Sequence, residues 1–294
     1  MTRKNRSMIK KTAILAAIVI ALIANWLKTG ETKATETAQA QTAATADSTA
    51  APQGAGYEIP EWTDKSAAKL SDKTVPDQRL QRLAYTASYN CETRTPNWVG
   101  WVLTREHTDG EYARNGRKFM EDTEVPEPRA AYSDIRESEC GYQRGHMCPS
   151  ADNKWSNKAQ TEAFLMTNIC PQNGELNQKD WKYLEEACRD WANKYGAVYI
   201  VAGPIFTTRP YRTVGEHEVA VPDAFFKVVL RTGDKPEDTA ALGFVYPNTD
   251  GEHDMTHYVK TVDEVEALTG LDFFPQLDDE VEQRVEAHSQ LGAW

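Results

Sequence analysis

Residues 29–56 hold 9 Ala and 7 Thr among 28 positions, and no Val, Ile, Leu or aromatic side chain. A stretch with so little apolar surface cannot offset the entropy lost on ordering, so it reads as a flexible tether. It divides the chain in two. Ahead of it, Arg3, Lys4, Arg6, Lys10 and Lys11 precede an apolar run from Thr12 to Leu27. That run is apolar on every side, which a helix in water does not tolerate. Sixteen helical residues span roughly 24 Å, a little short of an about 30 Å hydrocarbon core. Residues 1–28 therefore read as a signal anchor or a cleaved signal peptide, with the leading positive charges on the cytoplasmic side. The rest is expected to be exported. It is either anchored in the inner membrane through the N-terminal helix and facing the periplasm, or secreted after cleavage.

The fold is thereby confined to residues 57–294, a length suited to one large domain. The whole chain of 294 residues carries a net charge of −11. Its 40% apolar and 26% charged residues exclude a multi-span membrane protein, a collagen-like chain and a wholly disordered one. Residues 233–294 alone hold 15 acidic and 3 basic side chains, while residues 84–232 hold 21 and 18. The acidity is thus C-terminal, and the middle of the chain is free to present a local arginine cluster. Strand-like segments rich in β-branched and aromatic residues are Leu83–Tyr89, Trp98–Thr104, Ala197–Ala202, Phe225–Leu230 and Ala241–Tyr246. One amphipathic helix is predicted from Gln178 to Tyr195, because Trp181, Leu184, Cys188, Trp191 and Tyr195 form one stripe. Gly196 follows as its terminator. Strands and helices without regular βαβ alternation predict an α+β fold.

Cys91, Cys140, Cys148, Cys170 and Cys188 include no C-x-x-C pair, which argues against a zinc knuckle. An oxidising compartment would permit disulfides, but an odd number leaves one thiol over. Cys188, on the helix stripe, reads as a buried hydrophobe.

Chemistry concentrates in two stretches, Gly141 to Asp152 and Thr167 to Glu185. His146 is either a general base or a packed histidine. Asn177 is either the cap of the helix it precedes or a neutral oxygen ligand suited to Mg²⁺. Gln178, Lys182, Glu185 and Arg189 form a polar face that is either functional or merely solvated, with a Glu185–Arg189 pair. Arg114 and Arg117, in a Gly-containing loop, either bind phosphate or are solvated. Asp152 is a further acid with no assigned role.

Taken in order, these blocks resemble the DNA/RNA non-specific endonucleases of the ββα-metal type. The likeness is carried by R-G-H-x-x-P-x-A-D (Arg144 to Asp152), T-N-x-x-P-Q (Thr167 to Gln172) and N-x-x-x-W-x-x-L-E (Asn177 to Glu185). It continues through Val201 to Phe206, Val221 to Val228 and Leu268 to Phe274. The resemblance implies a central antiparallel sheet with flanking helices and a ββα-metal active-site motif. It implies His146 as the base that activates water, and Asn177 as the one direct ligand of a catalytic Mg²⁺, with Mn²⁺ as a substitute. Glu185 would hold metal-bound water. Arg144, Arg189 and Arg117 would bind phosphate, and Asn168 would be an active-site amide contacting substrate. The partners implied are DNA and RNA, with an inhibitor protein as a further one.

The family motif usually begins D-R-G-H, and here Gln143 takes the first position. An amide can still hydrogen-bond but brings no charge, so a catalytically impaired nucleic-acid-binding module is the alternative. An interaction domain using the acidic C-terminal region is a third reading.

Overall fold

The computed structural model describes residues 56–64, 76–251 and 253–294, all within a compact unit from Ala50 to Trp294. The expected anchor at 1–28 and all but the last residue of the tether at 29–56 lie outside the described residues.

In chain order the strands begin with β1 (Glu61–Trp62), β2 (Gln78–Gln81), β3 (Thr86–Asn90) and β4 (Thr95–Thr104). Next come β5 (Gln143–His146), β6 (Ile169–Gln172), β7 (Ala197–Ile205), β8 (Thr213–Val214) and β9 (Val219–Ala220). The last are β10 (Ala224–Arg231), β11 (Ala240–Pro247), β12 (Val259–Lys260) and β13 (Leu271–Asp272). Seven of them form one antiparallel sheet in the order β12-β11-β10-β7-β4-β3-β2. The helices are α1 (Glu137–Cys140), α2 (Asn157–Glu162), α3 (Gly174–Gln178), α4 (Asp180–Tyr195), α5 (Val262–Thr269) and α6 (Asp279–Glu286). The α+β expectation with a central antiparallel sheet is met.

Both faces of the sheet are covered, and the period of two along β10 shows how. Phe225 and Val229 belong to a core shared with Trp181, Leu184, Cys188 and Trp191 of α4. Phe226, Val228 and Leu230 belong to a second core with Val262 and Val265 of α5 and Val285 of α6. Adjacent side chains must point to opposite faces. A strand buried on both sides therefore reads as a continuous apolar run, which is why Phe225–Leu230 stands out in sequence. Lys227 interrupts that run on the α4 side and is fully buried.

Two expectations shift. Leu83 and Ala84 turn rather than extend, because Arg82 N donates to Tyr85 O and closes the chain between β2 and β3. The helix predicted from Gln178 is two helices broken at Lys179, whose φ of −120° and ψ of −93° are not helical. Cys188 packs in the core as expected, and Cys140, Cys148, Cys170 and Cys188 are free thiols.

Candidate active site

β5 and β6 form a two-stranded ribbon outside the main sheet, with Gly145 opposite Cys170 and His146 opposite Ile169. Gly145 is required there, since any Cβ would collide with the Gln172 side chain. The ribbon leans on α4, where Trp181 Nε1 donates to His146 O at 3.4 Å. Between ribbon and helix lies a cleft of about 690 Å³, whose walls include Arg144, His146, Asn177, Glu185 and Arg189. Five of the seven expected site residues thus meet at one surface.

His146 is clamped between aromatic rings, with Phe164 edge-on at 5.1 Å and Phe119 tilted at 5.4 Å. Burial first, then the Arg114 and Arg144 charges, hold its pKa down at about 3. The imidazole is therefore neutral at physiological pH and able to accept a proton. Its Nε2 has no hydrogen-bond partner among the described residues.

Arg144 is fixed by donating Nη1 to Tyr132 O at 3.0 Å and to Ile135 O at 2.7 Å, with its guanidinium 4.7 Å above the Phe119 ring. Arg189 does not form the expected pair with Glu185. It donates to Asp152 Oδ1 at 2.9 Å, and Asp152 is buried and also accepts from Trp101 Nε1 at 3.2 Å. Asp152 is thus the residue that aims Arg189.

Asn177 is not a helix cap. It lies near the end of α3, whose cap is Asn173, accepting from the Glu175 and Leu176 amides. Asn177 Nδ2 instead donates to Gln143 Oε1 at 2.9 Å, and Gln143 Nε2 donates to Glu137 Oε1 at 2.9 Å. A Cβ on Gly174 would sit 2.7 Å from that Glu137 oxygen, so a glycine at this place keeps the relay open. With its amide nitrogen engaged, Asn177 presents Oδ1 with no protein hydrogen bond among the described residues.

Glu185 is pushed up to about 7, chiefly by burial and against the pull of Lys227. It makes no ion pair among the described residues. A free amide oxygen and an under-compensated carboxylate on the walls of one cleft are oxygen donors, which fit a hard divalent cation.

Two expected residues do not reach the cleft. Asn168 is fully buried, accepting from Cys148 N and donating to Cys148 O and Ala163 O, each at 2.9 Å. Its amide is engaged by the backbone of Cys148, two residues after His146, and of Ala163, so direct contact with substrate is corrected to a scaffold position. Arg117 is held by Thr161 Oγ1 and Asn157 Oδ1, both at 2.5 Å. The loop turns between them, and the exposed Arg114 lines the cleft in its place.

Sequence reasoning missed Glu137 and Lys227. Glu137 gave no signal, because its role depends on the turn through Gly141. Lys227 did give one, as a lone charge in an apolar strand. Its Nζ lies 4.3 Å from the Trp181 ring centre and 5.6 Å from that of Trp101, behind Asp152 and Glu185.

An antiparallel sheet flanked by helices, with a histidine ribbon facing an Asn- and Glu-bearing helix pair across a cleft, defines a ββα-metal nuclease scaffold. The family model for DNA/RNA non-specific endonucleases matches residues 64–280, and the chain belongs to that family. Among curated relatives, the mitochondrial nuclease EXOG of Danio rerio is 37% identical over 219 residues, covering 69% of this chain and 63% of its own length. Nuclease 1, mitochondrial, of Schizosaccharomyces pombe is 32% identical over 239 residues, covering 74% and 73%. A solved structure described as the EndoG/EndoGI complex superposes with a TM-score of 0.64 at 25% identity, covering 74% of this chain and 94% of that one. The chain spans less than two thirds of the length of the EXOG relatives, 63% for the Danio rerio protein and 58% for that of Xenopus laevis.

These relatives overturn the expected location. Their names place them in mitochondria, and among the described residues no helix is long and apolar enough to cross a membrane. An inner-membrane anchor facing the periplasm, or a secreted form, is therefore not supported; residues 1–28 themselves lie outside the described residues.

Proposed function

We propose that the chain hydrolyses phosphodiester bonds of both DNA and RNA, with residues 57–294 as the nuclease unit. The observation that carries this reading is the neutral, ring-clamped His146 sharing one cleft with Asn177 Oδ1, Glu185, Arg144 and Arg189. The imidazole takes the proton of an attacking water. Arg144 and Arg189, each held rigid by its own acceptors, offset the negative charge that grows on the phosphate. Asn177 Oδ1 would hold a divalent cation directly and Glu185 would hold it through water, the ion being Mg²⁺ with Mn²⁺ as a substitute. When bound, the ion supplies Lewis-acid stabilisation of the phosphate oxygens.

Groups that engage phosphate and not base edges discriminate little between sequences or sugars. An inhibitor protein is a further partner, a reading supported by the inhibited complex of the related structure. The test is cleavage of plasmid DNA and of RNA by the purified chain, with and without Mg²⁺. Loss of both activities in EDTA and in His146→Ala is expected. Full activity in either condition would refute the assignment.

A further inference from the structure

A second cluster of acids lies far from the cleft in the fold, on the opposite side of the sheet. Asp263 and Glu266 on α5 and Glu286 at the end of α6 each offer a carboxylate oxygen, all within 4.8 Å of one another. Glu286 is only 7% exposed, and its Oε1 has no hydrogen-bond partner among the described residues. The charged groups acting most strongly on it are Glu266, Glu282, Asp263 and Asp272, all carboxylates. One oxygen of Glu266 is fixed by the Phe273 amide at 2.7 Å, which leaves the other for a ligand. A buried carboxylate among carboxylates must be neutralised, either by protons or by a cation.

We propose that Asp263, Glu266 and Glu286 form a calcium site that ties α5 to α6. The donor set is all oxygen and anionic, which excludes soft metals. Among hard ions, Ca²⁺ accepts irregular oxygen cages at about 2.3–2.6 Å, whereas Mg²⁺ demands a near-ideal octahedron at about 2.0–2.1 Å. Three carboxylates from two helices, all within 4.8 Å of one another, suit the less demanding ion. Helices α5 and α6 cover the sheet face lined by Phe226, Val228 and Leu230, so an ion between them would brace that core. This site is independent of the nuclease reading.

The test is calcium titration of the metal-free full-length chain by calorimetry, with thermal melting alongside. Asn177→Ala serves as background, to remove the ligand proposed in the cleft. That background is expected to bind one Ca²⁺ and to melt higher with it. Adding Glu286→Gln keeps the side-chain volume and should weaken binding at least about tenfold while melting no lower without metal. Asp263→Asn, at an exposed position, should weaken binding without affecting folding. No heat and no melting shift up to about 10 mM Ca²⁺ would overturn the proposal, leaving a site that holds protons only. So would binding unchanged by Glu286→Gln.

Discussion

Gln143 Oε1 accepts a hydrogen bond from Asn177 Nδ2 at 2.9 Å, and through it Glu137 is coupled to the proposed metal ligand. The endonuclease motif usually carries Asp where Gln143 stands. An Asp would supply acceptor and charge in one side chain. Here Gln143 supplies the acceptor, and Glu137 supplies the charge one residue further out. The Gln143 departure therefore leaves Asn177 oriented, which weakens the case for a module that binds without cleaving.

That relay predicts an epistasis. Gln143→Asp alone sets a second carboxylate against Glu137. An exposed like-charge contact costs about 1 kcal/mol, or about fivefold in kcat/KM. Gln143→Asp with Glu137→Gln should recover the loss. Plasmid cleavage by both single variants and the double variant checks this, and simple additivity would break the relay.

His146 makes the fold sensitive to acid. Its folded-state pKa of about 3 lies below its ordinary 6.5. Between those values the unfolded chain binds a proton that the folded chain does not, so stability falls as pH drops through that window. His146→Gln removes this proton uptake. The stability lost between pH 7 and 4.5 should be about 2 kcal/mol smaller in the variant. Urea unfolding midpoints at the two pH values measure it.

Asn168 and Arg114 should separate stability from activity. Asn168→Ala strands buried backbone groups and should cost about 2–4 kcal/mol in unfolding free energy. Arg114→Ala, at an exposed position, should leave the melting temperature within about 1 °C. Its effect should appear as weaker substrate binding and a shallower salt dependence.

Lys227 sits behind the site and lowers the pKa of both Glu185 and Asp152. Lys227→Met keeps the volume and removes the charge, so both acids should titrate higher. The acid limb of the kcat/KM profile should move to higher pH, with the fold intact by circular dichroism. An unmoved limb would show that Lys227 serves packing alone.

The sequence made the sheet legible because buried strands such as Phe225–Leu230 announce themselves as apolar runs. The resemblance carried by the ordered motif blocks pointed to His146, Asn177 and Glu185, which the fold brings to one cleft. It chose Arg117 over Arg114, since only the turn from Arg114 to Arg117 decides which of them faces the cleft. The resemblance placed Asn168 at the substrate because an amide within a matching motif reads the same whether it touches ligand or backbone. The Arg189–Asp152 pair was out of reach too, because those positions meet only in three dimensions.

The break at Lys179 separates Asn177 from the helix that carries Glu185 and Arg189. In one continuous helix, the angle between Asn177 and Glu185 would be locked by the 3.6-residue repeat. With a joint between them, each can be re-aimed without unwinding the other. A redesign of the cleft for a bulkier strand or a larger ion would therefore begin at Lys179, where one altered backbone angle repositions the amide and leaves the sheet-bound helix in register.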